Sequence, residues 1–198
     1  MKKLIMMAVV AMMATVSVNA QQMFIKPMVG GTLSTITKSD DAKMRLGLVG
    51  GAEFGYQIAE PFVVTAGALV AMQGANAKET DYFKDGSSTL TYLNVPILAN
   101  YYIIPGLAVK AGIQPGFLLS AKSKGSEKIG TGWVDYDHSG TDGYKKVDIS
   151  IPLGLSYEIS DFVIDARYNL GLTKIVDLDG SKSKNSVIML TVGYKIPF

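Results

Sequence analysis

Charged residues in this chain recur at alternate positions of apolar segments, and that spacing limits the chemistry open to them. Arg45, Glu53, Lys110, Asp148, Asp165, Arg167 and Lys195 each fall on the sparse polar parity of a stretch whose other parity is largely apolar. Inside a closed sheet these side chains must pair with opposite charges, because an uncompensated buried charge costs several kcal/mol. Two uses follow: a salt-bridge gate on a narrow ion path, or a polar plug that fills the interior and fixes strand register. The plug is the simpler expectation, since side chains fill small barrels. Glu53 and Arg167 are expected at one height, with Lys110, Asp165 and Lys195 in a layer below them.

A second group lies between Ala121 and Tyr144. Asp135, Asp137 and Ser139 offer alternate oxygen ligands followed by Gly140, like the start of a calcium loop. The match then fails, because Asp142 takes a position that is usually apolar and Lys146 stands where a bidentate Glu is needed. The expectation is a solvated, Gly-rich surface loop without a metal. Asp177-Leu178-Asp179-Gly180 and Asp85-Gly86 read as turn chemistry. His138 is the only histidine, and no nucleophile motif surrounds it, so enzymatic activity is not expected. Trp133 suits a contact or membrane-interface role. The chain has no cysteine, hence no disulfide, thiolate metal site, thiol nucleophile or lipid-modified cysteine. No phosphate-binding Gly loop, metal-spaced His cluster or basic–aromatic nucleic-acid pattern is present, and no cofactor is implied.

The elements that must position these residues are strands. Ile188, Leu190, Val192, Tyr194, Ile196 and Phe198 alternate with Met189, Thr191, Gly193, Lys195 and Pro197, a period of two. The same alternation runs through 45–58, 107–120, 147–158 and 162–173. Eight strands are expected at about 24–36, 44–58, 62–75, 89–103, 107–121, 145–158, 162–174 and 185–198. Tight turns at Ala59-Glu60-Pro61, Ile104-Pro105-Gly106 and Ile159-Ser160-Asp161 alternate with longer polar stretches at 37–43, 76–88, 122–144 and 175–184. That rhythm is an up-and-down meander.

The fold class expected is therefore all-β, an eight-stranded antiparallel transmembrane β-barrel occupying residues 21–198. Glycines crowd the polar parity, which suits a packed interior, while Phe62, Tyr157, Phe162, Tyr194 and Phe198 lie near strand ends of the apolar parity, as an interfacial girdle would. A soluble lipocalin-like barrel, with the faces reversed, is the alternative. The N-terminus favours export: Met1-Lys2-Lys3 precedes an apolar run to Val18, and Val18-Asn19-Ala20 suits cleavage before Gln21. Residues 1–20 are thus expected as a signal peptide. The formal charge of +2 then leaves with Lys2 and Lys3, so charge gives no argument for nucleic acid. No later segment has the about 18 uninterrupted apolar residues of a spanning helix.

Pro27-Met28-Val29-Gly30-Gly31 with Leu33-Ser34-Thr35, Tyr92-Leu93-Asn94-Val95-Pro96, Asp165-Ala166-Arg167-Tyr168-Asn169-Leu170-Gly171-Leu172 and the ending Gly193-Tyr194-Lys195-Ile196-Pro197-Phe198 give the chain its resemblance to the PorT-like outer-membrane barrels of Bacteroidetes. That resemblance implies an integral barrel in the outer membrane of a Gram-negative bacterium. Tyr194 and Phe198 would be read by the barrel-insertion machinery. The partners expected are outer-membrane lipid and an extracellular or envelope protein meeting loops 76–88 and 122–144. A narrow channel through the charged interior, a lipid-acting enzyme using His138 and a soluble periplasmic ligand-binding barrel are the competing functions.

Overall fold

The computed structural model describes residues 23–37, 42–78, 83–129, 132–175 and 183–198. The expected signal segment and Asp177-Leu178-Asp179-Gly180 lie outside the described residues. Among those described, the regular elements are strands: β1 (Met23–Thr37), β2 (Ala42–Lys43), β3 (Arg45–Ala59), β4 (Phe62–Ala77), β5 (Phe83–Asn94), β6 (Ile97–Ile104), β7 (Leu107–Ile129), β8 (Gly132–Ser139), β9 (Val147–Ile159), β10 (Phe162–Gly171), β11 (Lys184–Tyr194) and β12 (Ile196–Pro197).

Among the described residues the strands pair antiparallel in the order β1-β3-β4-β5-β7-β9-β10-β11, with β6 between β4 and β7, β2 on β4 and β8 on β7, and β1 also pairs with β11 and β12, through Leu33↔Ile188 and Ile25↔Ile196. The sheet therefore closes, and closure removes the edges that a lipid environment would leave unsatisfied. Eight staves surround the lumen, because β5 with β6 and β11 with β12 are single staves interrupted at Val95-Pro96 and Lys195. Pro96 has no N–H to give the ladder. The backbone stays satisfied there because Val95 N donates to Pro115 O (2.8 Å) and Gly67 N donates to Pro96 O (3.0 Å).

Alternation places the faces. In β10, Val163, Asp165, Arg167, Asn169 and Gly171 are buried in the lumen, while Phe162, Ile164, Ala166, Tyr168 and Leu170 are exposed outside. β9 and β11 repeat the pattern. The apolar parity faces outward and the polar parity fills the inside, as a lipid-spanning barrel requires. Two-residue turns at Glu60-Pro61, Pro105-Gly106 and Ser160-Asp161 close one end. Gly106 there adopts φ +83°, a left-handed conformation that glycine takes at no steric cost.

The structure departs from the expected loops at the other end. The described residues of 76–88 and 122–144 are largely strand. β5 begins at Phe83, β7 continues to Ile129, and β8 returns from Gly132 beside it. The polar composition reads as loop, yet Trp133, Val134 and Tyr136 favour strands, and β5 offers β7 a partner along this length. The inward parity of β7 also shifts. A bulge where Thr91 and Tyr92 face Ser120 and Leu118 puts Ala121 in the lumen, rather than continuing the expected series through Ser120.

Candidate functional site: a layered, filled lumen

The lumen is built in layers from the turn end upward. At the mouth, Lys195 Nζ lies 3.1 Å from Glu158 Oε2 and 4.6 Å from the centre of the Phe24 ring, and Tyr102 donates its hydroxyl proton to Glu158. Lys195, Phe24 and Tyr102 border an open recess of about 470 Å³ lined mainly by apolar side chains, among them Met23, Val63 and Ile103.

Above the mouth sits a cluster of five buried charges from four strands. Lys26 on β1 faces Glu53 on β3 as its register partner, with Nζ–Oε2 2.9 Å. Arg167 Nη1 reaches Glu53 Oε1 at 2.5 Å, while its Nε and Nη2 donate to the two oxygens of Asp165 at 2.6 and 2.8 Å. That fork is the strongest arrangement available to a guanidinium and a carboxylate. Lys110 on β7 also bonds to Asp165, and Lys26 approaches the same carboxylate at 3.7 Å. Three cationic side chains thus surround two carboxylates.

Small residues make this crowding possible. Gly154 on β9 is the register partner of both Lys110 and Arg167. A Cβ there would stand 3.0 Å from Arg167 Cγ and 2.5 Å from the Ala166 carbonyl oxygen. Gly154→Val should therefore lower barrel stability by about 1–3 kcal/mol through overpacking. The check is the temperature at which the compact band of unboiled protein disappears from a detergent gel.

Above the charges, one side of the lumen holds the apolar group Met28, Val49, Leu69, Ala71 and Met189. Toward the loop end lies a carboxamide-rich layer containing Gln73, Asn94, Gln114, Asn169 and Asn185, with Asp148 among them. A second apolar group, Leu90, Tyr92, Ala121 and Ile175, with Ile36, Leu118 and Tyr144 against it, covers this layer.

The seven charges read from the sequence do not form one network. Glu53, Lys110, Asp165 and Arg167 meet. Lys195 is in the mouth with Glu158 rather than in a layer with Lys110 and Asp165. Arg45, half-buried near the loop end, donates to Asn76 Oδ1 at 3.3 Å. Asp148 stands apart, bonded to Thr173 and Asn185. Parity placed these residues inside, but height along tilted strands separates them. Lys26 is the member that sequence reasoning missed. It shares parity with Met28, Thr32 and Ser34 opposite Ile25, Val29 and Leu33, a signal weakened by Pro27, Gly30 and Gly31.

Outside, Phe62, Tyr157, Phe162, Tyr194 and Phe198 are all exposed toward the turn end. Phe62 packs on Tyr101 (4.9 Å between centroids), Phe162 edge-on to Tyr194 (5.1 Å) and Phe198 against Phe54 (6.1 Å). Phe198 N also donates to Met23 O at 3.2 Å, across the seam where the first and last staves meet.

At the loop end, β8 runs beside β7 with every residue exposed. Asp135 accepts from Ser126 Oγ at 2.6 Å, and Asp137 pairs with Lys124 at 2.8 Å. The hydrogen bond from Lys124 holds the Asp137 carboxyl below the usual carboxylate range. Ser139 faces Lys122 and His138 faces Ser123. Asp135, Asp137 and Ser139 therefore stand along one face of an extended strand, about 7 Å apart in succession. A calcium ion needs oxygens converging at about 2.3–2.6 Å, so this strand does not wrap one.

Solved structures share the architecture. Ail, the attachment invasion locus protein of Yersinia pestis, superimposes with a TM-score of 0.54 at 19% identity, covering 88% of this chain and 99% of Ail. Its complex with the heparin analogue sucrose octasulfate gives 0.51 at 16% identity, covering 88% and 99%. Neisserial surface protein A gives 0.48 at 11%, covering 89% and 97%. No curated protein sequence matches the chain. Residues 10–177 match the profile of the outer membrane protein beta-barrel domain, spanning most of the sequence. A closed meander with its apolar face outward, a filled polar lumen and this match together make the chain an outer-membrane β-barrel, a member of the outer membrane protein beta-barrel domain family.

Proposed function

We propose that the protein is a closed anchor whose work is done outside the cell, by the three-stranded sheet of β5, β7 and β8. The observation that carries this is the unpartnered outer edge of β8. Among the described residues β8 pairs only with β7, and Trp133, Val134 and Tyr136 on it are exposed. An exposed strand edge offers main-chain donors and acceptors to an extended segment of a partner, and side chains on alternate positions then select it. Charged Asp135 and Asp137 on the same strand suit a selective edge better than one that pairs indiscriminately.

The lumen supports the anchor half of the proposal. The buried charge cluster, the carboxamide layer and the apolar cover occupy successive heights, so the interior serves rigidity and register more readily than passage. Of the seven residues expected to line the lumen, Glu53, Lys110, Asp165 and Arg167 brace one cluster while Arg45, Asp148 and Lys195 act at other heights, and the turn-end aromatics hold the barrel at the membrane interface, with Tyr194 and Phe198 on the strand read during insertion. The Asp165–Leu172 segment, part of the PorT-like resemblance, contributes two of the five clustered charges. Cleavage after Ala20 completes the proposed route to the outer membrane.

Ail, an attachment protein of the same fold, makes adhesion the first activity to assay. Replacing residues 125–136 with an Asn-Gly turn should leave the heat-modifiable folded band unchanged. It should abolish adhesion of cells displaying the protein to immobilised extracellular proteins. Unchanged adhesion of the folded variant would defeat the proposal.

A further inference from the structure

The carboxamide layer of the lumen has a charge that nothing nearby balances. Asp148 is 7% exposed. Its Oδ1 accepts from Thr173 Oγ1 at 2.6 Å and its Oδ2 from Asn185 Nδ2 at 2.7 Å. Thr173 Oγ1 is itself fixed by accepting from Ile149 N at 2.8 Å. Both partners of the carboxylate are neutral, and no ion pair joins Asp148 to a cation among the described residues. The surplus cation of the charge cluster does not serve. Gly154, the β9 partner of Lys110 and Arg167, lies six residues from Asp148, about 20 Å of strand. A buried carboxylate with only neutral partners costs several kcal/mol.

The second observation is the cavity beside it. A space of about 10 Å³, enough for one water-sized body, is lined by Asp148, Ser150, Gln114, Asn169, Asn185 and Asn94, among others. Gln114 is engaged through its nitrogen, donating to Ser150 Oγ at 3.4 Å, which leaves Oε1 without a partner. Asn185 is engaged through its nitrogen by Asp148, which leaves Oδ1 without a partner. Asn169, 2% exposed, has neither its oxygen nor its nitrogen bonded, and Asn94 Nδ2 is also unbonded. Three unbonded amide oxygens and a carboxylate thus face two unbonded amide nitrogens. A water balances donors and acceptors. This lining has a surplus of oxygen and one negative charge.

We infer that the cavity is a binding site for a single dehydrated monovalent cation, held by the Asp148 carboxylate and the amide oxygens of Gln114, Asn169 and Asn185. One carboxylate among neutral oxygens matches a charge of one. Divalent sites of hard cations ordinarily gather more carboxylates. The ion is resident rather than in transit, because the charge cluster closes the lumen on one side and the Leu90–Tyr92–Ile175 group covers it on the other.

Thallium(I) substitution in crystals of the folded barrel tests the site directly. The expected result is an anomalous peak between Asp148 and Asn169. A cavity holding only a water, with no anomalous signal, overturns the inference. In detergent, the wild type should unfold about 4 °C higher in potassium or sodium chloride than in N-methyl-D-glucamine chloride of equal ionic strength. Asp148→Asn should lose that difference, and Asn169→Leu, which retains the carboxylate, should lose it should Asp148→Asn fail to fold. A difference that survives in a folded variant of either kind, or that is absent from the wild type, also overturns the inference.

Discussion

Asp165→Asn should lower the stability of the folded barrel by about 3–5 kcal/mol, while Lys26→Met, in the same cluster, should change it little. The asymmetry comes from counting charges. Lys26, Lys110 and Arg167 face only Glu53 and Asp165, all five buried. Asp165 touches all three cations, two of them directly and Lys26 at 3.7 Å. An isosteric amide in its place leaves three buried cations to a single carboxylate, with the packing volume unchanged. Removing Lys26 instead leaves two cations and two carboxylates, and Glu53 keeps its 2.5 Å contact with Arg167. Urea unfolding of each variant in lipid vesicles measures both effects. Equal losses for the two variants would show that contact number, rather than charge balance, governs the cluster. Planar-bilayer recordings should stay silent for both, since neither substitution removes bulk. A conductance that rises in Asp165→Asn would instead make the cluster a gate.

Leu190→Arg should cost about 2–4 kcal/mol in a bilayer. Leu190 is 57% exposed on the outer face, and its register partners Gly31 and Ala166 lie within the spans of β1 and β10. An arginine at the middle of a bilayer must drag water or headgroups toward it, whereas on a water-facing surface the same change is worth within about 0.5 kcal/mol. Val134→Arg on β8, also exposed but beyond the barrel, supplies the water-facing control and should be near neutral. Outer-membrane fractions of Leu190→Arg should show a reduced heat-shifted band beside a normal one for Val134→Arg. Equal behaviour of the two would mean that lipid does not cover Leu190.

The fold was legible wherever alternation was clean. In β9 and β10 every second residue is apolar, all of them large except Ala166, and those residues are the ones facing out. Tight turns were legible from Pro, Gly and Ser-Asp chemistry. β1 was harder, because Gly30, Gly31 and Pro27 blur its two faces, and Lys26 escaped for that reason. The β7–β8 extension was misread as loop because Lys, Ser, Asp and Gly dominate it. Strand there depends on pairing with β5 and β8, which are distant in composition from any helix or strand rule applied to one segment. The bulge at Leu118–Ser120 belongs to the same class, since an extra residue shows only against its partner strand.

The candidate site divides along the same line. Alternation by itself determined that Glu53, Lys110, Asp148, Asp165 and Arg167 lie on the polar face of their strands, because side chains of a strand change face at every residue. It also gathered the apolar residues on the opposite face, which the closed sheet turns outward. Distance from the turns also set Glu53 level with Arg167 and Lys110 level with Asp165, and both pairs meet, but the tertiary structure decided the rest of the partners. Register and tilt set height, and height put Arg167 between Glu53 and Asp165, sent Lys195 to Glu158 and left Asp148 among amides. Parity is a property of one strand and is written in its residues. Register is a property of two strands, fixed by turns, bulges and packing across the lumen.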